Sequence, residues 1–495
     1  MGAKQELMQL QNGSDVRGVA LAVEGGKSVN LTEEAVCRIA EGFVCWLRAA
    51  TGKEHPRIGV GHDSRLTAQS LKRAAIRGLR AQGAEAEDCG LASTPAMFMG
   101  TVFPETGFDG SIMLTASHLP RERNGMKFFT PAGGLDKGDI RSVLELAEGL
   151  EAVQGPAEAP TCALMDLYAA SLRRKIVESA GAGERPLEGL HILVDAGNGV
   201  GGFFVTDVLE RLGADCTGSQ FLEPDGNFPN HAPNPEDKAA MASIRQAVLA
   251  HKADLGIIFD TDGDRMSAVL SDGEEVNRDA IIAMMAAILA PDYPGGTIVT
   301  DSVTSDRLTD FLTSLGLRHR RFKRGYKNVI NEAIRLGTEG VCAPLAIETS
   351  GHGAMKENYY LDDGAYMAVK LIIAAARMRR EGKKLESLIA ALPPAGEAME
   401  RRIPISGTDT AAYGAQVLET FRIRAAQAGY ILAETCEGVR LTFPGEGWLL
   451  LRLSLHDPLL PLNVESTQPG GCAALLVRAR ELLQGFERLD LGALD

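Results

Sequence analysis

Ser117 lies in the stretch Thr115-Ala116-Ser117-His118-Leu119-Pro120, which is followed by Asn124-Gly125-Met126-Lys127. The apolar run before it reads as a buried strand, and Pro120 stiffens the loop behind it. A hydroxyl held at the open edge of a sheet, with an imidazole beside it and an ammonium ten residues on, suits a nucleophile or a phosphate carrier. Ser117, His118 and Lys127 are therefore candidate catalytic residues, against the plainer reading of a polar turn.

Asp260-Thr261-Asp262-Gly263-Asp264-Arg265 follows the apolar run ending at Phe259. Carboxylates at i, i+2 and i+4 in one loop repel each other, so the arrangement calls for a cation, and hard oxygen ligands favour magnesium. An EF-hand is excluded: the glycine falls at the fourth loop position, and Ser271 stands where the bidentate glutamate belongs. Three weaker clusters end other strands or loops. In Glu348-Thr349-Ser350-Gly351-His352-Gly353, Glu348 and Ser350 offer a carboxylate and a hydroxyl for paired sugar hydroxyls. Gly325-Tyr326-Lys327 presents an ammonium to a ligand oxyanion, and Asn12-Gly13-Ser14-Asp15-Val16-Arg17-Gly18 sets Arg17 between glycines, as close approach to a phosphate needs. Gly197-Asn198-Gly199-Val200-Gly201-Gly202 satisfies the dinucleotide fingerprint, with Asp215 about where a ribose-binding acid belongs. A dehydrogenase explains neither the serine loop nor the carboxylate triad.

These clusters need strands that end at one edge. Apolar runs around Ile58 to Gly61, Ile112 to Thr115, Ile192 to Asp195, Ile257 to Asp260, Ile298 to Thr300 and Leu345 to Ile347 read as buried strands. Amphipathic stretches such as SLKRAAIRGLRAQGA, FFVTDVLERLGA, DAIIAMMAAILA and AYMAVKLIIAAARMRR lie between them as helices. The pattern is βαβ with largely parallel sheets, in which ligands gather at the carboxyl ends of strands. The last hundred residues look α+β instead. Seams near 153–161, 278 and 392–402 divide the chain into four segments.

Composition narrows the function classes. The 495 residues carry 51 Lys and Arg against 65 Asp and Glu, a net charge of −14, with 45% hydrophobic residues, which is ample for packed cores. No basic stripe marks a nucleic-acid surface. No apolar window reaches the roughly 18 residues of a membrane span, and the first residues lack a signal-peptide core, so the chain reads as cytoplasmic. Eight scattered cysteines without a C-x-x-C pair read as reduced core thiols.

T-A-S-H-x-P with N-G-x-K, then D-x-D-G-D-R, then E-x-S-G-H, each about one domain apart, resemble the α-D-phosphohexomutase superfamily of phosphoglucomutases and phosphomannomutases. Val60-Gly61-His62-Asp63-Ser64-Arg65, Val194-Asp195-Ala196-Gly197-Asn198-Gly199 and Pro224-Asp225-Gly226-Asn227-Phe228-Pro229 support the match. The resemblance implies a heart-shaped enzyme of four domains: 1–160 with the phosphoserine loop, 161–278 binding magnesium, 279–395 binding sugar, and 396–495 contacting phosphate. The first three are expected as βαβ-type mixed-sheet domains and the last as α+β. It further implies interconversion of hexose 1-phosphate and hexose 6-phosphate, of glucose or mannose, through phosphorylated Ser117 and a hexose 1,6-bisphosphate that serves as activator or product. Magnesium would sit on Asp260, Asp262, Asp264 and a phosphoserine oxygen. Arg17 would offset phosphoryl charge, and Lys127 with His118 would move the hydroxyl proton. Lys327, Glu348, Ser350, Arg265, Arg452 and Ser454 would bind substrate. The expected partner is a small phosphosugar, with no nucleic acid or membrane, on a monomer or homodimer.

The C-terminal segment departs from that pattern. A loop resembling R-P-S-G-T-E-P with a second arginine three residues on is replaced by Arg452-Leu453-Ser454-Leu455-His456-Asp457-Pro458, with Pro461 in the second arginine's place. Losing a bidentate arginine weakens phosphate retention by on the order of 1.5 to 3 kcal/mol. An enzyme that releases its bisphosphate would work as a glucose 1,6-bisphosphate synthase fed by a donor such as fructose 1,6-bisphosphate. Two other readings stand beside these: a dehalogenase-type phosphatase with Asp260 as nucleophile, and a non-catalytic sugar-phosphate sensor.

Overall fold

The apolar runs and the amphipathic segments between them become alternating strands and helices in the computed structural model, which describes residues 6–181, 183–454 and 457–495. Leu455 and His456, on which part of the loop comparison rests, lie outside the described residues. Each anticipated strand is present: Arg57–His62, Gly110–Leu114, Ile192–Asp195, Leu255–Phe259, Thr297–Thr300 and Leu345–Ile347. The chain packs as two units, Met1–Ile288 with Ser350–Ser387, and Leu289–Thr349 with Leu388–Asp495.

In the first unit, Arg57–His62 runs parallel to Glu85–Leu91 on one side and to Gly110–Leu114 on the other. Beyond Gly110–Leu114 the sheet turns antiparallel, through Arg123–Thr130 to Asp15–Val19. The sheets are thus mixed, and the antiparallel edge is what positions chemistry: it sets Lys127 opposite Met113 and Arg17 opposite Gly125, beside the loop that carries Ser117. The helix Glu33–Thr51 covers this sheet; Thr32 caps it by accepting from Ala35 N at 3.1 Å, and Glu33 and Glu34 sit at the positive end of its dipole.

A second sheet of the same unit pairs Ile192–Asp195 in parallel with Leu255–Phe259, which folds back on Met266–Leu270. The triad loop is the turn of that hairpin. The glycine-rich stretch after Ile192–Asp195 packs against it: Val200 N donates to Thr261 O at 2.9 Å, and a Cβ on Gly199 would lie 2.6 Å from that oxygen. Its glycines serve backbone packing, which accounts for the pattern without a dinucleotide. The helix anticipated in FFVTDVLERLGA is irregular instead, a wide turn over Phe204–Leu209 and a tight one over Glu210–Leu212. Gly201 and Gly202 before it, and the β-branched Val205, Thr206 and Val208 within it, weaken regular α winding.

In the second unit, Thr297–Thr300 lies between Arg318–Arg321 and Leu345–Ile347, all parallel. The C-terminal part is an antiparallel sheet in the order Glu397–Pro404, Leu459–Ser466, Gly447–Leu451, Val439–Phe443, Ile431–Ala433. Helices Thr410–Gln427 and Gly471–Leu483 close its core through Val417, Phe421, Leu475 and Ala479, as an α+β reading requires. Cys37, Cys89, Cys216 and Cys472 are buried free thiols, whereas Cys342 is exposed and not a core residue. Among the described residues no helix is long and apolar enough to cross a membrane.

Gly199→Ala should lower unfolding stability by about 1–3 kcal/mol, because the added methyl must displace backbone and not a flexible side chain. Chemical denaturation measures it; an unchanged midpoint would mean that the two loops are not in contact.

Candidate active site

Within the first unit the serine loop and the triad loop meet. Ser117 is buried and held at φ +50°, a conformation that a non-glycine residue keeps only where its surroundings enforce it. Arg65 is the enforcing group. Its buried guanidinium pairs with Asp63 at 3.2 Å and donates to four carbonyls of the loop: Ser117 at 2.5 Å, Leu119 at 2.6 Å, Pro120 at 2.8 Å and Arg123 at 2.9 Å. Arg17 braces the other end, donating to Thr115 O at 2.6 Å and to Asp15 at 2.8 Å. So fixed, Ser117 Oγ donates to Asp260 Oδ2 at 2.8 Å and lies 3.3 Å from His118 Nδ1.

Asp260, Asp262 and Asp264 are at most 1% exposed and present one oxygen each within a 4.8 Å cluster. Burial and the charges of Asp264 and Asp262 push the Asp260 carboxyl well above its usual range. Asp260 is the best supported, accepting from Gly263 N at 3.0 Å, Arg265 N at 3.2 Å and Arg265 Nε at 3.1 Å. Thr94 holds Asp262 at 2.5 Å, and Lys127 pairs with Asp264 and lies 3.4 Å from Asp262. Burial raises the Asp264 carboxyl, but Lys127, His352 and Arg265 outweigh it and hold it below the usual range. Among the described residues, one oxygen each of Asp262 and Asp264 remains buried without a hydrogen-bond partner. Orphaned anionic oxygens cost free energy in a dry interior. Converging hard oxygens with unmet valence fit a divalent cation such as magnesium.

Two histidines take opposite charge states. Burial, with Arg265 and His352 nearby, lowers His118 to about 2, so its imidazole is neutral. His352 is opposed by burial too, but Asp362 at 2.5 Å and Asp264 lift it to about 9, so it carries charge at neutral pH. Arg265 is 1% exposed and lies beneath the triad loop, bound to Asp260 and 3.7 Å from Glu236. That position shapes the loop, and among the described residues the Arg265 Nη2 has no hydrogen-bond partner. Asp260, the nucleophile of the phosphatase reading, is fully buried with both oxygens engaged.

The first unit therefore gathers Ser117, His118, Lys127, Arg17, Arg265, the three aspartates and Ser350. Lys327, Glu348, Arg452 and Ser454 belong to the second. There, Glu348 Oε1 accepts from Gly325 N at 2.6 Å, and Lys327 stands in the first turn of helix Tyr326–Thr338. Ser454 N donates to Leu459 O at 3.0 Å, and Pro461 lies within the strand Leu459–Ser466, its carbonyl accepting from Arg452 N at 3.1 Å. Sequence reading assigned no role to Arg65, Thr94 or Asp362. Arg65 and His352 were visible in quoted motifs, whereas Thr94 and Asp362 carry no local signal.

Arg65→Lys should cut turnover by about a hundredfold or more, since one ammonium cannot reproduce a fork to four carbonyls and misplacement of order 1 Å is that expensive. Rates close to those of the parent protein would show that the loop holds its shape without Arg65. Magnesium should raise the melting temperature of the parent by an amount equivalent to about 2.7 kcal/mol at a hundredfold excess over its dissociation constant, and should not raise that of an Asp262→Ala, Asp264→Ala double variant. Equal shifts in both would place the ion elsewhere.

Comparison with known proteins agrees with this geometry. The family models for phosphoglucomutase/phosphomannomutase α/β/α domains I, II and III match residues 8–149, 166–273 and 277–395 in order. A phosphomannomutase/phosphoglucomutase of Pseudomonas syringae is 30% identical over 85% of this chain and 86% of its own length. A phosphoglucomutase of Neisseria gonorrhoeae is 28% identical over 96% of both chains. The crystal structure of a phosphoglucomutase/phosphomannomutase family protein from Burkholderia thailandensis superposes with a TM-score of 0.80 at 26% identity, covering 99% of this chain and 100% of that one. With three domain models matched in sequence order and relatives aligned over most of their length, the chain belongs to the phosphoglucomutase/phosphomannomutase family of the α-D-phosphohexomutase superfamily and is a phosphotransferase-type mutase.

Proposed function

We propose that this enzyme interconverts hexose 1-phosphate and hexose 6-phosphate, of glucose or mannose, through a phosphoryl group carried on Ser117. The observation that carries the reading is the strained, buried Ser117 hydroxyl 2.8 Å from Asp260 in a carboxylate cluster with unmet valence. A phosphoryl group on this oxygen is transferred to the free hydroxyl of a hexose monophosphate: the sugar O–P bond forms, the Ser117 Oγ–P bond breaks, and the hydroxyl proton leaves. The resulting 1,6-bisphosphate turns round and returns its other phosphoryl group to Ser117.

Asp260, Asp262 and Asp264, with an oxygen of the phosphoserine, would hold magnesium, which supplies charge neutralisation for phosphoryl oxygens when bound. Arg17, fixed by Thr115 O and Asp15, meets the remaining negative charge at the loop. Lys127 is already paired with Asp264, so it serves as a fixed cation. The neutral His118 is the group able to take the proton, and the dianionic phosphoryl group beside it raises its basicity. In the second unit, Glu348 is proposed for a sugar hydroxyl, Lys327 for an oxyanion, and Arg452 with Ser454 for the phosphate that is not transferred; in the first unit, Ser350 is proposed for a sugar hydroxyl. The four-segment division at 160, 278 and 395 belongs to the same reading.

The loss of a second arginine at Pro461 favours one alternative, a bisphosphate synthase rephosphorylated by fructose 1,6-bisphosphate. Ser117→Ala should lower phosphoryl transfer by at least about a thousandfold, the range seen when a nucleophile is removed; a smaller loss would move the phosphate carrier elsewhere. Supplied with glucose 1-phosphate, a catalytic amount of glucose 1,6-bisphosphate and an excess of fructose 1,6-bisphosphate, the parent should form glucose 6-phosphate without net glucose 1,6-bisphosphate. Accumulation of bisphosphate at the expense of fructose 1,6-bisphosphate would instead support the synthase.

A further inference from the structure

Arg452 is only 6% exposed, and among the described residues its Nε has no hydrogen-bond partner. Burial lowers its pKa, and the next cause is a second guanidinium, Arg324. The Glu437-Gly438 turn links the two residues within the second unit. Arg324 N donates to Glu437 Oε1 at 2.9 Å, and at the adjacent Gly438 a Cβ would lie 2.9 Å from Arg452 Cβ. The Arg324 side chain is 26% exposed and faces Asp301 and Glu400 at 4.0 and 3.9 Å. Two like charges set either side of Glu437-Gly438 repel one another, and Glu437, Glu400 and Asp301 offset only part of that. A phosphate dianion between them would accept from both forks.

We propose that Arg324 is a phosphate-binding residue that forms an anion corner with Arg452 and supplies the second cation that the C-terminal loop lacks at Pro461. Nothing in the sequence motifs marks it: it precedes Gly325-Tyr326-Lys327 and is separated from Arg452 by 127 intervening residues. The assignment rests on the mutase reading, because the phosphate concerned is the one that stays on the sugar. It also argues against poor bisphosphate retention, since the missing arginine is replaced from another part of the unit.

Arg324→Gln should raise KM for glucose 1-phosphate by about ten- to a hundredfold, the worth of one charged fork, while kcat changes by less than about threefold. Arg324→Lys should recover part of that loss. Inorganic phosphate should inhibit the glutamine variant more weakly by a similar factor. Melting temperatures establish that each variant is folded; should the glutamine variant unfold, the lysine variant alone carries the comparison. KM and phosphate inhibition within twofold of the parent overturn the assignment. A parent that isomerises no hexose phosphate would sink the mutase reading instead, and calorimetric titration of inorganic phosphate then judges the corner by itself: weaker binding in Arg324→Gln supports it, and equal or absent binding in both proteins overturns it.

Discussion

Three carboxylates in one buried loop cannot all remain ionised unless positive charge is built around them, and the first unit is organised by that constraint. Lys127 comes from the antiparallel edge of the large sheet, Arg265 from the hairpin that bears the triad, and His352 from the segment that rejoins this unit late in the chain. Lys127 and Arg265 are buried and His352 is largely so, and each depends on the carboxylates as much as they depend on it. Among the described residues, these three cations still leave one oxygen each of Asp262 and Asp264 without a hydrogen bond. That residue of unmet charge is what a divalent ion would take up.

The same constraint explains why the serine loop is rigid. Ser117 reaches Asp260 only because its backbone is held in a left-handed conformation, and the strain is sustained by one guanidinium gripping four carbonyls. Arg65 is paired with a carboxylate of its own turn, Asp63, and both side chains are fully buried. A flexible loop would let the hydroxyl wander from the cluster; a loop held this way pays its ordering entropy during folding rather than during catalysis.

Much of this was legible in the sequence, for identifiable reasons. Strands with continuous β-branched runs announced themselves, and the residues just beyond them formed polar clusters whose chemistry follows from type and spacing. Charge repulsion within Asp260, Asp262 and Asp264 is a local property, so no structure was needed to infer a cation there. What stayed hidden depends on pairing between distant segments. The antiparallel edge that carries Arg17 and Lys127, strands Asp15–Val19 and Arg123–Thr130, was not among the strands read from the sequence. Arg65 was visible in a motif, but its four acceptors lie more than fifty residues away. The fingerprint at Gly197 misled because glycine meets two needs alike, approach to a pyrophosphate and approach to another backbone, here that of Thr261.

The central claim is that Ser117, once phosphorylated, and the triad form a single cation site. Calorimetric titration of magnesium into the Ser117-phosphorylated protein and into its fully dephosphorylated form tests it directly. Tighter binding by at least about tenfold in the phosphorylated form, the worth of one added charged ligand at roughly 1.4 kcal/mol per decade, is the predicted result. Equal affinity in the two forms would contradict it, because the phosphoryl oxygen would then lie outside the ion's reach.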